Sequence, residues 1–297
     1  MTTAAARLEG VTKCYPHFTL EELDWSVPEG QITGFIGANG AGKSTTIRLL
    51  MGLLRPDRGR VHLLGLPMPA EQIRAKREVG FASEDLRLYG AATLAWHMAF
   101  LRGIYPSWDA AYADKLLTRF DLKADQRIKG LSHGQRVKAA LLLILARRPR
   151  LLLLDEPTTG LDPVARHEVL GALMEVLLDE ERTILFSSHN TLDIEQICDR
   201  ISFLDRGRLL ADADKESFLD RWRRLRLEVP SDGRLPELAG TEYAGSGRLV
   251  VATTDRFEPA LPAVFEAAGA RVTAIEPLTL EEIFLTTVQR HRTGEPS

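Results

Sequence analysis

Cysteine is nearly absent: Cys14 and Cys198 are the only two, far apart and without the spacing of a metal site or a disulfide framework. A disulfide-stapled fold is excluded, and a reducing compartment is expected. Long apolar runs are missing as well. The longest, residues 139–146, ends at Arg147, Arg148 and Arg150, well short of the roughly 18 apolar residues that begin to suggest a membrane span. The first ten residues contain no apolar leader segment, so the expectation is a cytoplasmic chain that does not cross a bilayer by itself. Nor is there an excess of one charge. Thirty-eight Lys and Arg stand against 41 Asp and Glu, giving a net charge of −3, divided as +1 up to residue 211 and −4 beyond it. That balance lacks the basic footprint of a dedicated nucleic-acid binder. What is present is ordinary globular material: 297 residues, 44% hydrophobic and 27% charged, enough for a sizeable core and for two domains.

The pattern along the chain separates into blocks. Residues 7–12 and 19–27 read as strands of a sheet edge, and residues 31–36 as a β-rich run that ends in glycines before a helical pattern. Residues 81–120 mix aromatic residues, Pro106 and helical periodicity, and read as an insertion. Beyond it, helices predicted at 132–146, 164–178 and 192–198 alternate with strands at 151–154, 183–187 and 201–204, the signature of a mostly parallel sheet with covering helices. Asp205-Arg206-Gly207 then closes a hairpin onto 208–211. From residue 212 onward, strands at 225–229, 249–253 and 272–275 and helices at 258–268 and 280–291, with a Pro/Gly/Asp-rich stretch at 230–247, predict a small α+β domain. Within it Arg221, Arg223, Arg224 and Arg226 surround Trp222. Either they meet anionic headgroups or RNA, or they form a salt-bridged face with Asp214, Glu216, Asp220 and Glu228, and the acidic neighbours favour the second.

Two motifs carry chemistry. Gly37-Ala38-Asn39-Gly40-Ala41-Gly42-Lys43-Ser44 fits G-x-x-x-x-G-K-[ST], followed by Thr45, and lies between a predicted strand and a predicted helix. Glycines let successive backbone N–H groups face phosphates, the helix N-terminus adds favourable potential, Lys43 bridges the terminal phosphates and Ser44 ligates Mg²⁺. Leu151 to Leu154 lead into Asp155 and Glu156, two carboxylates at the carboxyl edge of a buried strand. Asp155 suits a Mg²⁺ held through water, and Glu156 suits the polarising of an attacking water, because phosphoryl transfer needs an oriented nucleophile more than covalent help.

With Leu131-Ser132-His133-Gly134-Gln135 added, the sequence resembles the nucleotide-binding subunits of ABC transporters, over about residues 7–211 and in the correct order. The five residues resemble the family's LSGGQ signature, which acts on the nucleotide of a second subunit. Gly160-Leu161-Asp162 resembles the D-loop, with Asp162 as its acid. His189 resembles the switch histidine, and Tyr15, 28 residues before Lys43, the aromatic that stacks on adenine. Two positions depart from the pattern. His133 stands where the family has glycine, and Glu84 aligns with the lid glutamine that touches Mg²⁺; a carboxylate can still ligate that ion.

The resemblance implies an α/β fold: a P-loop NTPase core with an antiparallel β edge and an inserted helical subdomain carrying the signature, plus a small C-terminal α+β domain. The cassette covers residues 1–211, with the insert at about 84–145, and the accessory domain covers 212–297. It implies ATP and Mg²⁺ as ligands, ATP hydrolysis, and a homodimer or heterodimer of cassettes closing on two composite sites. A separate membrane permease, and hence a position on the inner face of the membrane, follows; nucleic acid is not expected as a partner. Residues 105–109, the signature with His133, and residues 277–284 resemble the ABC-2-type export branch. Trp96, Tyr105 and Trp108 either line the surface that receives the permease or pack inside the insert. The alternative is a soluble ABC ATPase acting on DNA or ribosomes. The DNA-acting relatives carry a long coiled coil where only 87 residues separate Lys43 from Leu131, and the ribosomal ones carry two cassettes where each motif here occurs once. A regulatory cassette with weak hydrolysis has Glu84 and His133 as its only support.

Overall fold

The computed structural model describes residues 3–83, 87–176, 182–230 and 234–293. They form two compact units, Met1–Ala211 and Asp212–Ser297. In the first, β1 (Ala4–Tyr15), β2 (Phe18–Pro28), β4 (Arg58–Leu63) and β5 (Leu66–Met68) make an antiparallel sheet in the order β2-β1-β4-β5. A second sheet contains β3 (Ile32–Ile36), β6 (Val79–Ser83), β7 (Leu151–Asp155), β8 (Thr183–Ser188), β9 (Arg200–Asp205) and β10 (Arg208–Asp214), in the order β10-β9-β3-β8-β7-β6.

Strands β3, β7 and β8 are buried along their whole length. Their runs are apolar without alternation, so both faces need cover, which a parallel sheet between layers provides. The pairs from β9 through β6 are all parallel. Trp25 of β2 stacks on Phe35 of β3 with centroids 4.5 Å apart and donates its indole N–H to the Ser202 hydroxyl at 3.0 Å, joining the two sheets. Complete burial of Phe35 contributes about 1.5–3 kcal/mol. The covering helices include α1 (Lys43–Leu50), the short α2 (Gln72–Ala75), α6 (Pro163–Val176) and α7 (Thr191–Ile197).

Register is what positions the site. Phe35 pairs with Ser187, Ser187 with Asp155, and Asp155 with Ser83, so the carboxyl ends of β3, β8, β7 and β6 finish in one row. The loops that follow therefore start at one edge of the sheet, where α/β folds bind ligands.

Between β6 and β7 the chain forms α3 (Leu94–Ile104), α4 (Ala110–Arg119), a 3-10 turn (Ile128–Gly130) and α5 (His133–Leu145). Thr93 and Asp109 cap α3 and α4, accepting from Trp96 N–H at 3.2 Å and Tyr112 N–H at 2.8 Å. Residues 105–109 clasp the end of α5. The Arg147 guanidinium lies 3.6 Å from the Tyr105 ring centroid and donates to the Lys76 and Val79 carbonyls, while Ser107 Oγ donates to Arg147 O at 2.8 Å and Arg148 pairs with Asp109. Tyr105 is thus a packing residue of the insert.

The structure departs from the sequence reading in several places, among them residues 241–246, a strand inside the stretch read as a Pro/Gly/Asp-rich separator. Residues 79–83, partly read as insert, are strand β6 of the core; residues 58–68 form a hairpin where no strand was read; and β10 runs past residue 211 to Asp214. In the second unit, β11 (Arg223–Glu228), β12 (Thr241–Ser246), β13 (Leu249–Thr254) and β14 (Arg271–Pro277) form an antiparallel sheet in the order β12-β13-β11-β14, with α8 (Lys215–Arg221), α9 (Leu261–Ala267) and α10 (Leu280–Thr293). Phe265 of α9 fills its core against Leu225, Leu227 and Ala252. The basic cluster is a salt-bridged face: Arg223 reaches Asp220, Arg224 reaches Glu282 and Arg226 reaches Glu276.

Candidate active site

The glycine-rich loop occupies the turn from β3 into α1, and sterics explain its glycines. A Cβ on Gly37 would lie 2.6 Å from Leu204 O, and one on Gly42 would lie 2.8 Å from Phe18 Cζ; Gly42, with φ +115°, is the residue before α1. Ala38, Asn39 and Gly40 are exposed, whereas Gly37, Ala41, Gly42 and Lys43 are buried and Ser44 and Thr45 half-buried. Behind the loop, Gly207 N–H donates to Ala41 O at 2.9 Å, fixing it to the β9–β10 hairpin. The result is a rigid turn that aims the N-terminus of α1 outward, a ready anion site.

Lys43 Nζ donates to Gly37 O at 2.7 Å and stands 3.0 Å from Glu156 Oε1. The latter is a charge contact without hydrogen-bond alignment, since Oε1 is buried with no hydrogen-bond donor of its own. The other oxygen of Glu156, Oε2, accepts from Thr159 Oγ1 at 3.1 Å and lies 2.8 Å from His189 Nδ1. Glu156 itself adopts φ +54°, a left-handed conformation uncommon for a side-chain-bearing residue, and its N–H donates to Ser187 O at 3.1 Å. Strain of that kind persists where the surroundings dictate it. Here it turns the carboxylate from the end of β7 toward the loop lysine and toward His189. Asp155, one residue earlier and buried, accepts from Ser187 Oγ at 2.7 Å.

Tyr15 ends β1, half exposed, with its ring 6.3 Å from that of Phe18, the residue packed on Gly42. Phe18, which carried no sequence signal, therefore connects the aromatic to the loop.

The signature is the N-terminus of α5, and each residue has a visible local reason. Leu131 is buried; Ser132 caps the helix by accepting from Gln135 N–H at 3.2 Å; and Gln135 Oε1 accepts from Ser132 N–H at 3.0 Å, completing a capping box. A Cβ on Gly134 would sit 3.4 Å from the Ala165 Cβ. His133 turns back to Thr159 O, with Nε2 at 3.0 Å. Asp162 caps α6, accepting from Val164 and Ala165 N–H at 2.9 Å each. The Ala165 N–H, with that of Val164, holds its carboxyl below the usual carboxylate range.

The structure thus brings Lys43, Asp155, Glu156 and His189 together at one sheet edge, with Ser44 on the first turn of α1. Ser132, His133 and Asp162 lie around the segment that follows Glu156. Glu84 lies outside the described residues. Among the described residues no group of three or more His, Cys, Asp or Glu side chains can hold a metal by itself. The donors present, the Ser44 hydroxyl and the Asp155 carboxylate, are hard oxygens that suit Mg²⁺ when phosphate and water complete its shell. A cavity of about 430 Å³ adjoins the site, with Arg87, Lys129, His133, Arg136, Glu156 and Thr159 on its walls.

A buttress under the site carried no sequence signal. Asp193 of α7, buried, accepts from Thr158 Oγ1 at 2.6 Å and pairs with Arg166 of α6, tying the segment after Glu156 to the helix after His189. Asp193→Ala leaves a partly buried Arg166 without its carboxylate. It is expected to destabilise the first unit by about 3 kcal/mol, the low end for a broken buried pair because Arg166 keeps some access to water. Urea unfolding of the two proteins measures it; an unchanged midpoint removes Asp193 from the buttress.

Comparison with known proteins gives concordant findings. A family model described as ABC transporter matches residues 20–159. The chain is 36% identical over 225 residues to the Nod factor export ATP-binding protein I of Mesorhizobium japonicum, a match covering 74% of this chain and 66% of that protein. To the ABC transporter ATP-binding protein YtrB of Bacillus subtilis it is 31% identical over 216 residues, covering 73% of this chain and 74% of that one. Among solved structures, the ATP-binding subunit of an ABC transporter superposes with a TM-score of 0.66 at 28% identity, covering 73% of this chain and 92% of its own. CbiO1 of Clostridium perfringens, part of the CbiONQ complex, gives 0.62 at 26%, covering 72% and 90%.

Proposed function

The chain belongs to the ATP-binding ATPase subunits of the ABC transporter family, and we propose that it powers a separate membrane permease in export through ATP-driven closure of a cassette dimer. The observation that carries this reading is Glu156, held between Lys43 and His189 at the end of β7 and beside the phosphate loop. In the proposed site Tyr15 stacks on adenine. Residues 37–45 surround the phosphates, and Lys43 leaves the Gly37 carbonyl for them. Ser44 and Asp155, with Glu84 as a further ligand, would hold Mg²⁺, which would supply neutralisation of the phosphate charge. Glu156 orients the attacking water, and His189, on the opposite side of the carboxylate from Lys43, fixes its direction. Ser132 and Gly134, at the N-terminus of α5, reach the γ-phosphate held by the other subunit. Asp162 accompanies them.

Export is supported by the name of the Mesorhizobium relative. A membrane partner is supported by family membership, because no described helix of this chain is long and apolar enough to cross a membrane. Its seat is proposed on the insert, where Trp96 and Phe100, 49% and 53% exposed, stack in parallel with centroids 5.3 Å apart beside Tyr89. The proposed location is therefore the inner membrane face. The regulatory reading has less support, since the Lys43, Asp155, Glu156 and His189 set is complete.

Fractionation of the native host tests the permease claim. Wild type is expected with the membranes, and Trp96→Glu with Phe100→Glu is expected in the supernatant, its ATP affinity within about twofold of wild type because neither ring lies at the phosphate loop. Wild type found wholly in the supernatant contradicts the reading.

A further inference from the structure

We propose that His133 is a positioning residue for Glu156, and that it links the phosphate contact made by Ser132 to the hydrolytic carboxylate of the same subunit. The second half of that statement rests on the composite-site reading above. His133 Nε2 lies 3.0 Å from Thr159 O, and a carbonyl only accepts, so Nε2 carries the proton. Thr159 in turn donates its hydroxyl to Glu156 Oε2 at 3.1 Å, the oxygen that also meets His189. The path from the first turn of α5 to the water-orienting carboxylate is therefore one side chain and one residue long.

The seat for the imidazole is shaped. Gly160, at φ +72°, lies beneath it, and a Cβ there would come within 3.2 Å of Nε2. Any other residue at 160 would be strained and would crowd the ring. At 133 itself glycine, the residue of the family pattern, has no group with which to reach Thr159.

Ser132 caps α5 and His133 is its first residue, so a phosphate that engages Ser132 acts on the turn that holds His133. Through Thr159 that movement reaches Glu156, which serves the nucleotide bound by its own subunit. In a two-site dimer the occupancy of one site would then set the aim of the carboxylate in the other, a coupling that appears as cooperativity in ATP.

Full-length chain tests this by ATP hydrolysis and hydrogen exchange. His133→Ala and His133→Gly are expected to lower kcat about three- to tenfold, the loss of one positioning hydrogen bond, and to lower the Hill coefficient. Affinity for a non-hydrolysed ATP analogue should stay within about twofold. His133→Gln, whose amide donates to the same carbonyl, restores kcat. Thr159→Val reproduces the loss, and the double variant His133→Ala/Thr159→Val falls no further, because both break one path. Exchange in residues 157–162 reads the link without turnover: it rises in His133→Ala and returns to the wild-type rate in His133→Gln. Additive losses, a His133→Gln protein as slow as His133→Ala, or unaltered exchange and kcat in His133→Ala would overturn the inference. Wild type that binds no ATP would instead overturn the functional reading itself.

Discussion

Glu156→Gln is expected to lower ATP turnover by about 10²- to 10⁴-fold, the range for loss of a positioned general base, while nucleotide stays bound. The substitution is nearly isosteric. It keeps an oxygen to accept from Thr159 Oγ1 and removes the negative charge that stands 3.0 Å from Lys43 Nζ. Lys43 is then freer to turn to phosphate, so affinity for ATP should hold or rise. Phosphate release measured beside calorimetric ATP binding separates the two effects. Turnover within about twofold of wild type would mean that the water is oriented by some other group.

Lys43→Ala is expected to act on binding instead. The ammonium is buried, and its present partners, Gly37 O at 2.7 Å and Glu156, are ones a triphosphate can replace with more charge. Loss of one charge-assisted contact of about 1.5–3 kcal/mol weakens ATP by roughly 10- to 150-fold. The Glu156 carboxylate, left without its cation, adds repulsion in the same direction. Titration with a non-hydrolysed analogue should show the loss, and hydrolysis should be undetectable. An affinity equal to that of wild type would exclude the 37–44 loop as the phosphate site. Lys43→Arg is no rescue, because the guanidinium is larger and fork-shaped where the site accommodates a point charge.

These expectations rest on residues that the sequence displays unevenly. The phosphate loop and Asp155-Glu156 are legible because their chemistry needs a fixed spacing next to a strand, and the strand is visible as an apolar run. Register is not written in any run of residues. That Phe35, Ser187, Asp155 and Ser83 finish in one row is a property of strand pairing, and with it goes the Ser187 bond to Asp155. Thr158, Asp193 and Arg166 stayed hidden for a related reason. Each is a common surface-type residue whose partner lies in another element, 35 residues away for Thr158 and Asp193.

The unread strands have local causes. The first half of β4 is Arg-Gly-Arg and exposed, so it lacks the alternation that marks a half-buried strand. β12 lies in a Gly- and Pro-rich stretch that reads as loop, and its pairing with β13 supplies what its own residues do not. β6 ends at Ser83, where the sequence turns directly toward the aromatic insert. His133 was visible only as a departure from a pattern, and its contact with Thr159 O required the fold.

Closure of two chains on ATP through phosphate loop and signature is read by light scattering of Glu156→Gln. This variant should hold ATP without turning it over. Expected are a two-chain mass in saturating Mg-ATP, a one-chain mass in Mg-ADP, and a one-chain mass in both when Ser132→Arg is added, since bulk and charge then occupy the seat of the γ-phosphate. A Glu156→Gln/Ser132→Arg protein that dimerises in ATP as fully as Glu156→Gln, or a Glu156→Gln protein equally dimeric in ADP, would contradict it.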